Sequence, residues 1–242
     1  MKVALCLSGH IRDFDRINQS LWTNVIATNN SPDVYLHLWD STDPLSNTPL
    51  RPSHFQAIES LKPKELVIQP IRAGHRQPYA TCDPPGEEFE EVARTADGRP
   101  PGSFYMFYKV WKCHELMRAS QQPYDAVIRA RPDLIYHNPL NCETLTLSCL
   151  SVPDNRHHGG ICDALGVGSM EVMDHYAQAF HVHAEEPEVY SERALLAACR
   201  RGRVSIREFR MGFTIVRSDE EREIGRLDSP DHGPNHGGPR GW

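Results

Sequence analysis

Apolar and polar positions follow two rhythms along this chain. Short apolar runs at residues 2–8, 33–39 and 65–69 fit buried strands, while Phe14, Ile17, Leu21, Val25 and Ile26 recur at helical spacing between the first two. Residues 54–61 carry a shorter helix closed by Lys62-Pro63. This β-α-β-α-β order predicts a parallel sheet with right-handed crossovers. Residues 71–102 are rich in Pro, Gly and acidic side chains, and so long a loop in a compact domain is usually functional or mobile. Residues 103–119 give the strongest helical pattern: Phe104, Phe107, Val110, Trp111, His114 and Met117 fall largely on one stripe, with Ser103 able to cap it. That aromatic stripe reads as core. One strand is expected over 125–136, others at 147–152 and 164–167, and a helix from Ser169 to about His183. Ser191 is expected to cap a further helix that Gly202 closes, and strands at 204–206 and 210–216 follow. From Leu227 four glycines, three prolines and two histidines predict a disordered tail. The expectation is a single α/β domain over residues 1–226, a mostly parallel sheet flanked by helices, with a tail at 227–242.

The run Val127-Ile-Arg-Ala-Arg-Pro-Asp-Leu-Ile-Tyr136 carries the most chemistry. It begins as a buried strand and places Arg129, Arg131 and Asp133 at its carboxyl end. Charged groups are costly to bury unpaired. They make sense at the mouth of a parallel sheet, where open α/β folds bind ligands. There a carboxylate can hold a divalent cation and guanidiniums can hold phosphates as fixed forks. A surface ion pair is the plainer alternative. Two other strand ends converge on the same edge: Ser8-Gly9-His10 with Arg12 after the first strand, and His37, Trp39 and Asp40 closing the second. Ser8 and Gly9 supply a tight turn and backbone N–H groups near a helix start, which favours an anion, and Arg12 adds a phosphate contact.

Composition narrows the classes. At 242 residues with 39% hydrophobic side chains the chain can bury a substantial core, and its net charge of −6 gives no pull towards nucleic acid or anionic membrane. No apolar run approaches the roughly 20 residues of a membrane span. The apolar stretch after Met1 is too short for a signal peptide. The seven cysteines are odd in number, scattered and without a CxxC pair, so neither a zinc site nor a disulfide framework is expected, and a reducing cytoplasm is. His157-His158 and His181-Val-His183 lack the carboxylate or cysteine partners of a metal motif.

Five blocks, Ala4-Leu-Cys-Leu-Ser-Gly-His-Ile-Arg12, Val34-Tyr-Leu-His-Leu-Trp-Asp40, Phe104-Tyr-Met-Phe-Tyr-Lys-Val-Trp111, Tyr124-Asp-Ala-Val-Ile-Arg-Ala-Arg-Pro-Asp133 and Asp163-Ala-Leu-Gly-Val-Gly-Ser169, together resemble a group of glycosyltransferases with a GT-A-like, Rossmann-related fold found in bacteria and large DNA viruses. Ser191-Glu192 heading a helix is a looser sixth match. The resemblance spans about residues 1–196. It implies a nucleotide-sugar donor across the sheet edge, with Ser8, Gly9 and Arg12 near the nucleotide and a glycan as acceptor. It also implies that Asp133 stands where such enzymes carry the last carboxylate of a metal-binding Asp-x-Asp. The first of those positions is here Arg131, a departure from the pattern. Two readings follow: Asp133 holds Mg²⁺ or Mn²⁺ together with the donor diphosphate, or Arg129 and Arg131 neutralise the leaving diphosphate without metal.

An inverting transfer also needs a base for the acceptor hydroxyl. Asp163 and Glu192 are the candidates, Asp163 alternatively binding acceptor hydroxyls and Glu192 alternatively stabilising a helix dipole. Lys109, one helical turn from Tyr105, faces either the donor phosphates or solvent. Competing classes are a sulfotransferase or nucleotide kinase, against which stands the absence of Gly-x-x-x-x-Gly-Lys-Ser/Thr after the first strand, and a glycan- or nucleotide-binding module without chemistry, which the Arg131 departure favours.

Overall fold

The computed structural model describes residues 1–42, 48–70, 102–185 and 190–216. Most of the Pro- and Gly-rich stretch and the whole of the expected tail lie outside the described residues. Strand β1 (Val3–Gly9) leads into helix α1 (Phe14–Leu21), which a single π-helical turn, Trp22–Ile26, extends. Strand β2 (Asp33–Trp39), helix α2 (Pro52–Ser60) and strand β3 (Glu65–Gln69) follow as the sequence pattern predicts. Helix α3 (Gly102–Ala119) packs on β1 and β2, where Phe107, Cys113 and Met117 are fully buried. The thiol of Cys113 donates to the carbonyls of Leu7 (3.6 Å) and Tyr35 (3.4 Å), so even the polar atom of that face is used.

The expected strand over 125–136 is two. Strand β4 (Ala126–Ala130) stays in the main sheet, and strand β5 (Leu134–Tyr136) leaves it to pair with strand β9 (Phe213–Ile215). The break falls at Arg131, Pro132 and Asp133. Proline has no N–H for the ladder, and Asp133 turns into ion pairs with Arg131 and Arg12. Strands β6 (Leu150–Pro153) and β7 (Leu165–Gly168) come next, then helices α4 (Met170–Ala177) and α5 (Ala179–Glu185), helix α6 (Ser191–Arg201) and strand β8 (Ile206–Phe209). Ser169 caps α4 as expected, accepting the Val172 N–H at 3.3 Å. The single helix expected to His183 is interrupted at Gln178, although Val182 still donates to the Gln178 carbonyl at 3.1 Å. Tyr190, not Ser191, occupies the cap of α6, and the Ser191 hydroxyl turns to Glu192 instead.

The main sheet has seven strands in the order β3-β2-β1-β4-β7-β6-β8. Strands β3, β2, β1 and β4 run parallel, β7 is antiparallel to both β4 and β6, and β8 is parallel to β6. A mostly parallel sheet flanked by helices is therefore what the chain builds. Strands buried on both faces need near-continuous apolar runs; β1 supplies one, and β4 does so except at Arg129. One consequence positions the site: because β7 runs antiparallel, its amino end lies beside the carboxyl ends of β1, β2 and β4. Among the described residues no helix is long and apolar enough to cross a membrane.

Candidate functional site at the carboxyl edge of the sheet

The loops after β1 and β2 are stitched together. Gly9 ends β1 at φ 118°, a conformation that glycine adopts without steric cost, and Arg12 sits at φ 44° with its N–H on the Thr42 carbonyl at 2.9 Å. The His10 Nδ1 lies 3.3 Å from the Ser41 carbonyl. Ser8 remains inside β1, in register with His37, its hydroxyl buried and without a hydrogen-bond partner. Asp40 is held through its backbone, its N–H on Gln69 O (3.1 Å) and its carbonyl accepting from Leu50 (3.2 Å). Gly9, Arg12 and Asp40 thus sit at the strand ends, whereas Ser8 is one step inside.

The tight turn after β1 brings Arg12 onto Asp133. The Asp133 side chain is only 1% exposed, and both of its oxygens are engaged. Arg131 grips it as a fork, Nε to Oδ1 at 2.9 Å and Nη2 to Oδ2 at 2.7 Å, and the Arg12 Nη1 pairs with Oδ2. The main chain is pinned as well, with Val216 N–H on the Asp133 carbonyl at 2.9 Å. A buried carboxylate is tolerable when it is both paired and hydrogen-bonded, and this one is. A divalent ion at Asp133 would need lone pairs that the guanidiniums already occupy. Among the described residues no three His, Cys, Asp or Glu side chains are grouped to hold a metal. As arranged, the set fits a guanidinium–carboxylate cluster and not Mg²⁺ or Mn²⁺. Among the described residues it joins two guanidiniums and one carboxylate, with Arg131 retaining 21% exposure and Arg12 10%.

Arg129 does not belong to that cluster. The expectation that it opens at the sheet mouth is corrected by its place inside β4, paired with Cys6 of β1 on one side and Gly166 of β7 on the other: Arg129 is 2% exposed. Its Nη1 donates to the main-chain carbonyl of Asp163 and, at 3.4 Å, to the Tyr176 hydroxyl, which itself donates to the same carbonyl at 3.1 Å. The guanidinium carbon lies 5.9 Å from the Tyr176 ring centroid, and its Nε and Nη2 are buried without hydrogen-bond partners. Gly166 makes room for this arrangement, since a Cβ there would come within 2.7 Å of the Tyr176 ring.

The same carbonyl belongs to one of the two candidate bases. Asp163 and Glu192 are brought together: burial pushes the Glu192 carboxyl up from its ordinary value, and the negative charge of Asp163 pushes it further. The Ser191 hydroxyl donates to the Glu192 carboxylate at 3.0 Å. The chain before Asp163 is sewn to the start of α6, with Ile161 N–H on the Glu192 carbonyl at 3.0 Å. Gly160 lies so close that a Cβ would fall 2.0 Å from that oxygen. The two halves of the site meet where the Arg131 N–H donates to Ala164 O at 3.1 Å, one residue from Asp163.

Lys109 corrects both sequence expectations for it. It is fully buried, its Nζ donating to Leu38 O and Gln69 Oε1 at 3.0 Å each and lying 3.5 Å from the Trp39 ring centroid. Tyr108 stacks on the same indole, with centroids 6.3 Å apart. Lys109 therefore braces the ends of β2 and β3 behind the site. Sequence reasoning did not find Tyr176: a tyrosine on the buried stripe of a helix reads as core, and only Gly166 opposite it carried a signal. No protein-family model and no curated protein matches this chain.

Proposed function

We propose that the carboxyl edge of this sheet binds a nucleotide-sugar donor and transfers its sugar to a hydroxyl of a glycan-type acceptor. The observation that carries the reading is the Arg131–Ala164 hydrogen bond, which sets the Arg12–Arg131–Asp133 cluster against the Asp163–Glu192 pair. The first group places two guanidinium charges at the sheet edge beside a bound diphosphate, and the second offers a carboxylate whose affinity for protons is raised. In an inverting transfer, one of the two carboxylates takes the proton of the acceptor hydroxyl. The acceptor oxygen bonds to the anomeric carbon as the bond from that carbon to the diphosphate oxygen breaks. The electron pair leaves on the diphosphate, where Arg12 and Arg131 offset its charge. Of the two readings, the metal-free one has the better support once Arg12 takes the place of the buried Arg129, because the Asp133 oxygens are already bonded to Arg12 and Arg131.

The Asp133 cluster also supports a second reading, a nucleotide- or glycan-binding module that performs no transfer. A thermal-shift screen of UDP-, GDP-, dTDP- and CMP-sugars, with and without Mn²⁺, tests both. A ligand at 100 times its Kd stabilises the fold by about 2.7 kcal/mol. A shift confined to one nucleotide class, followed by donor hydrolysis or transfer, is expected. Binding without turnover supports the module, a shift that requires Mn²⁺ restores the metal reading of Asp133, and no shift with any donor overturns the donor site.

A further inference from the structure

We infer that Tyr176, with Arg129, is a positioning residue of this site: the two clamp the Asp163 peptide carbonyl and so fix how closely the Asp163 and Glu192 carboxylates approach. The inference rests on the reading of that pair as the base of a sugar transfer, but its geometry stands alone. Three groups close a small buried triangle, Arg129 Nη1, Tyr176 OH and Asp163 O, with Tyr176 OH to Asp163 O at 3.1 Å and Arg129 Nη1 to Tyr176 OH at 3.4 Å. The triangle joins β4 and α4 to the loop that precedes β7. A peptide gripped by two buried donors has little freedom, so its side chain leaves the backbone at a fixed point. Glu192 is fixed from the other side, because its carbonyl accepts the Ile161 N–H and Gly160 packs directly on it. The clamp thus sets where the Asp163 side chain leaves the main chain, while the Ser191 hydroxyl holds the Glu192 carboxylate at 3.0 Å.

That spacing matters chemically. Two like charges held near each other in a partly buried place raise the proton affinity of one, which is how a carboxylate becomes an effective base near neutral pH. The groups that act on Glu192 are Asp163 and His158 from the loop before β7 and Ser191 on its own helix, while Arg193 turns back onto Gly159. Of these only Asp163 is tied to a buried clamp. Tyr176→Phe removes one hydroxyl, keeps the ring that Gly166 accommodates, and leaves Asp163 O as the hydrogen-bond acceptor of Arg129.

The test follows the Glu192 carboxyl by ¹³C NMR pH titration in the full chain, assigned with Glu192→Gln, with Asp163→Asn setting the scale. Asp163→Asn is expected to lower the Glu192 midpoint, and Tyr176→Phe to lower it in the same direction by a smaller amount. Gly166→Ala, which presses on the ring from the opposite side, is expected to behave like Tyr176→Phe and guards against a peculiarity of one variant. If transfer is observed, Tyr176→Phe should reduce kcat about tenfold, part of what a general base supplies, with donor KM unchanged and the acid limb of the pH–rate profile displaced. A Glu192 midpoint that moves with Asp163→Asn but not with Tyr176→Phe overturns the positioning role. A midpoint that ignores Asp163→Asn overturns it too. Absence of turnover with every donor, alongside the expected titrations, removes the sugar-transfer reading and leaves the clamp standing.

Discussion

Arg131 holds Asp133 through two parallel hydrogen bonds, 2.9 Å from Nε to Oδ1 and 2.7 Å from Nη2 to Oδ2, across a gap of only one residue. Pro132 makes the turn that lets this happen, and Arg12 closes the cluster from the loop after β1. Asp133→Asn keeps the shape but removes the carboxylate charge that Arg12 and Arg131 share. Breaking a buried pair costs about 3–5 kcal/mol, and because both arginines keep some solvent contact the expected loss is about 2–3 kcal/mol. Urea unfolding checks this. In the double variant Asp133→Asn/Arg131→Met the loss should be smaller than in the single, because one of the two guanidiniums is gone; additive losses would mean the residues are not coupled.

Nucleotide affinity separates the two arginines. Arg12→Ala leaves the Arg131 fork intact, so it removes one cation with little disturbance to Asp133. It should weaken binding of a nucleoside diphosphate by about 1.5–3 kcal/mol, the worth of a charge-assisted hydrogen bond. Arg131→Lys keeps the charge but cannot form the fork, and should weaken binding and lower stability together. Titration calorimetry with UDP and GDP reads both effects. Unchanged affinity in both variants would move the donor site elsewhere.

Most strands and helices could be read from the chain because their hydrophobic periods are clean: the runs of β1 and β2 and the stripe of α3 appear where the pattern puts them. The errors cluster where one charged side chain decides the path. The stretch 125–136 has the composition of one strand, but the Arg131–Asp133 pair and Pro132 end it early, and a local period cannot register a pairing with Arg12 more than a hundred residues away. Arginine is rarely buried, so sequence alone puts Arg129 at the edge. Its burial depends on a carbonyl from the loop before β7 and a hydroxyl from α4 that only the folded chain supplies. Lys109 is the same case, a cation made tolerable by Trp39, Leu38 and Gln69.

His37 gives a pH signature. Burial, then the positive charges of Lys109 and Lys112, push its pKa down to about 3. Unfolded, it titrates near 6.5. Between those values the unfolded chain binds a proton that the folded chain does not, so stability rises with pH through this window and is lost as pH falls from about 6.5 towards 3. His37→Phe removes the titration. The urea midpoint of the wild type, measured from pH 7.5 to 4, should fall more steeply than that of the variant, with the difference between them flat above pH 7. Parallel curves would mean that His37 stays accessible to protons in the fold.

Gly160 and Gly166 both meet neighbours that a side chain would strike, but the neighbours differ in what they can do. At Gly166 the added Cβ meets the Tyr176 ring at 2.7 Å, and a ring edge can tilt by a few tenths of an ångström. Gly166→Ala is expected to cost about 1–3 kcal/mol, the usual range for overpacking. At Gly160 the added Cβ would lie 2.0 Å from the Glu192 carbonyl oxygen and 2.5 Å from the Arg193 nitrogen, both backbone atoms of the first turn of α6. No rotamer relieves that contact, so either the loop must lift from the helix, breaking the Ile161–Glu192 hydrogen bond, or α6 must shift. Gly160→Ala should therefore destabilise more than Gly166→Ala and should also release Glu192 from its setting, lowering the midpoint of its carboxyl towards the ordinary value. Urea unfolding of both variants, with amide hydrogen exchange at Ile161 as the local reading, distinguishes the cases. Equal stability losses, with the Ile161 amide still protected in Gly160→Ala, would show that the loop and helix are not packed as described.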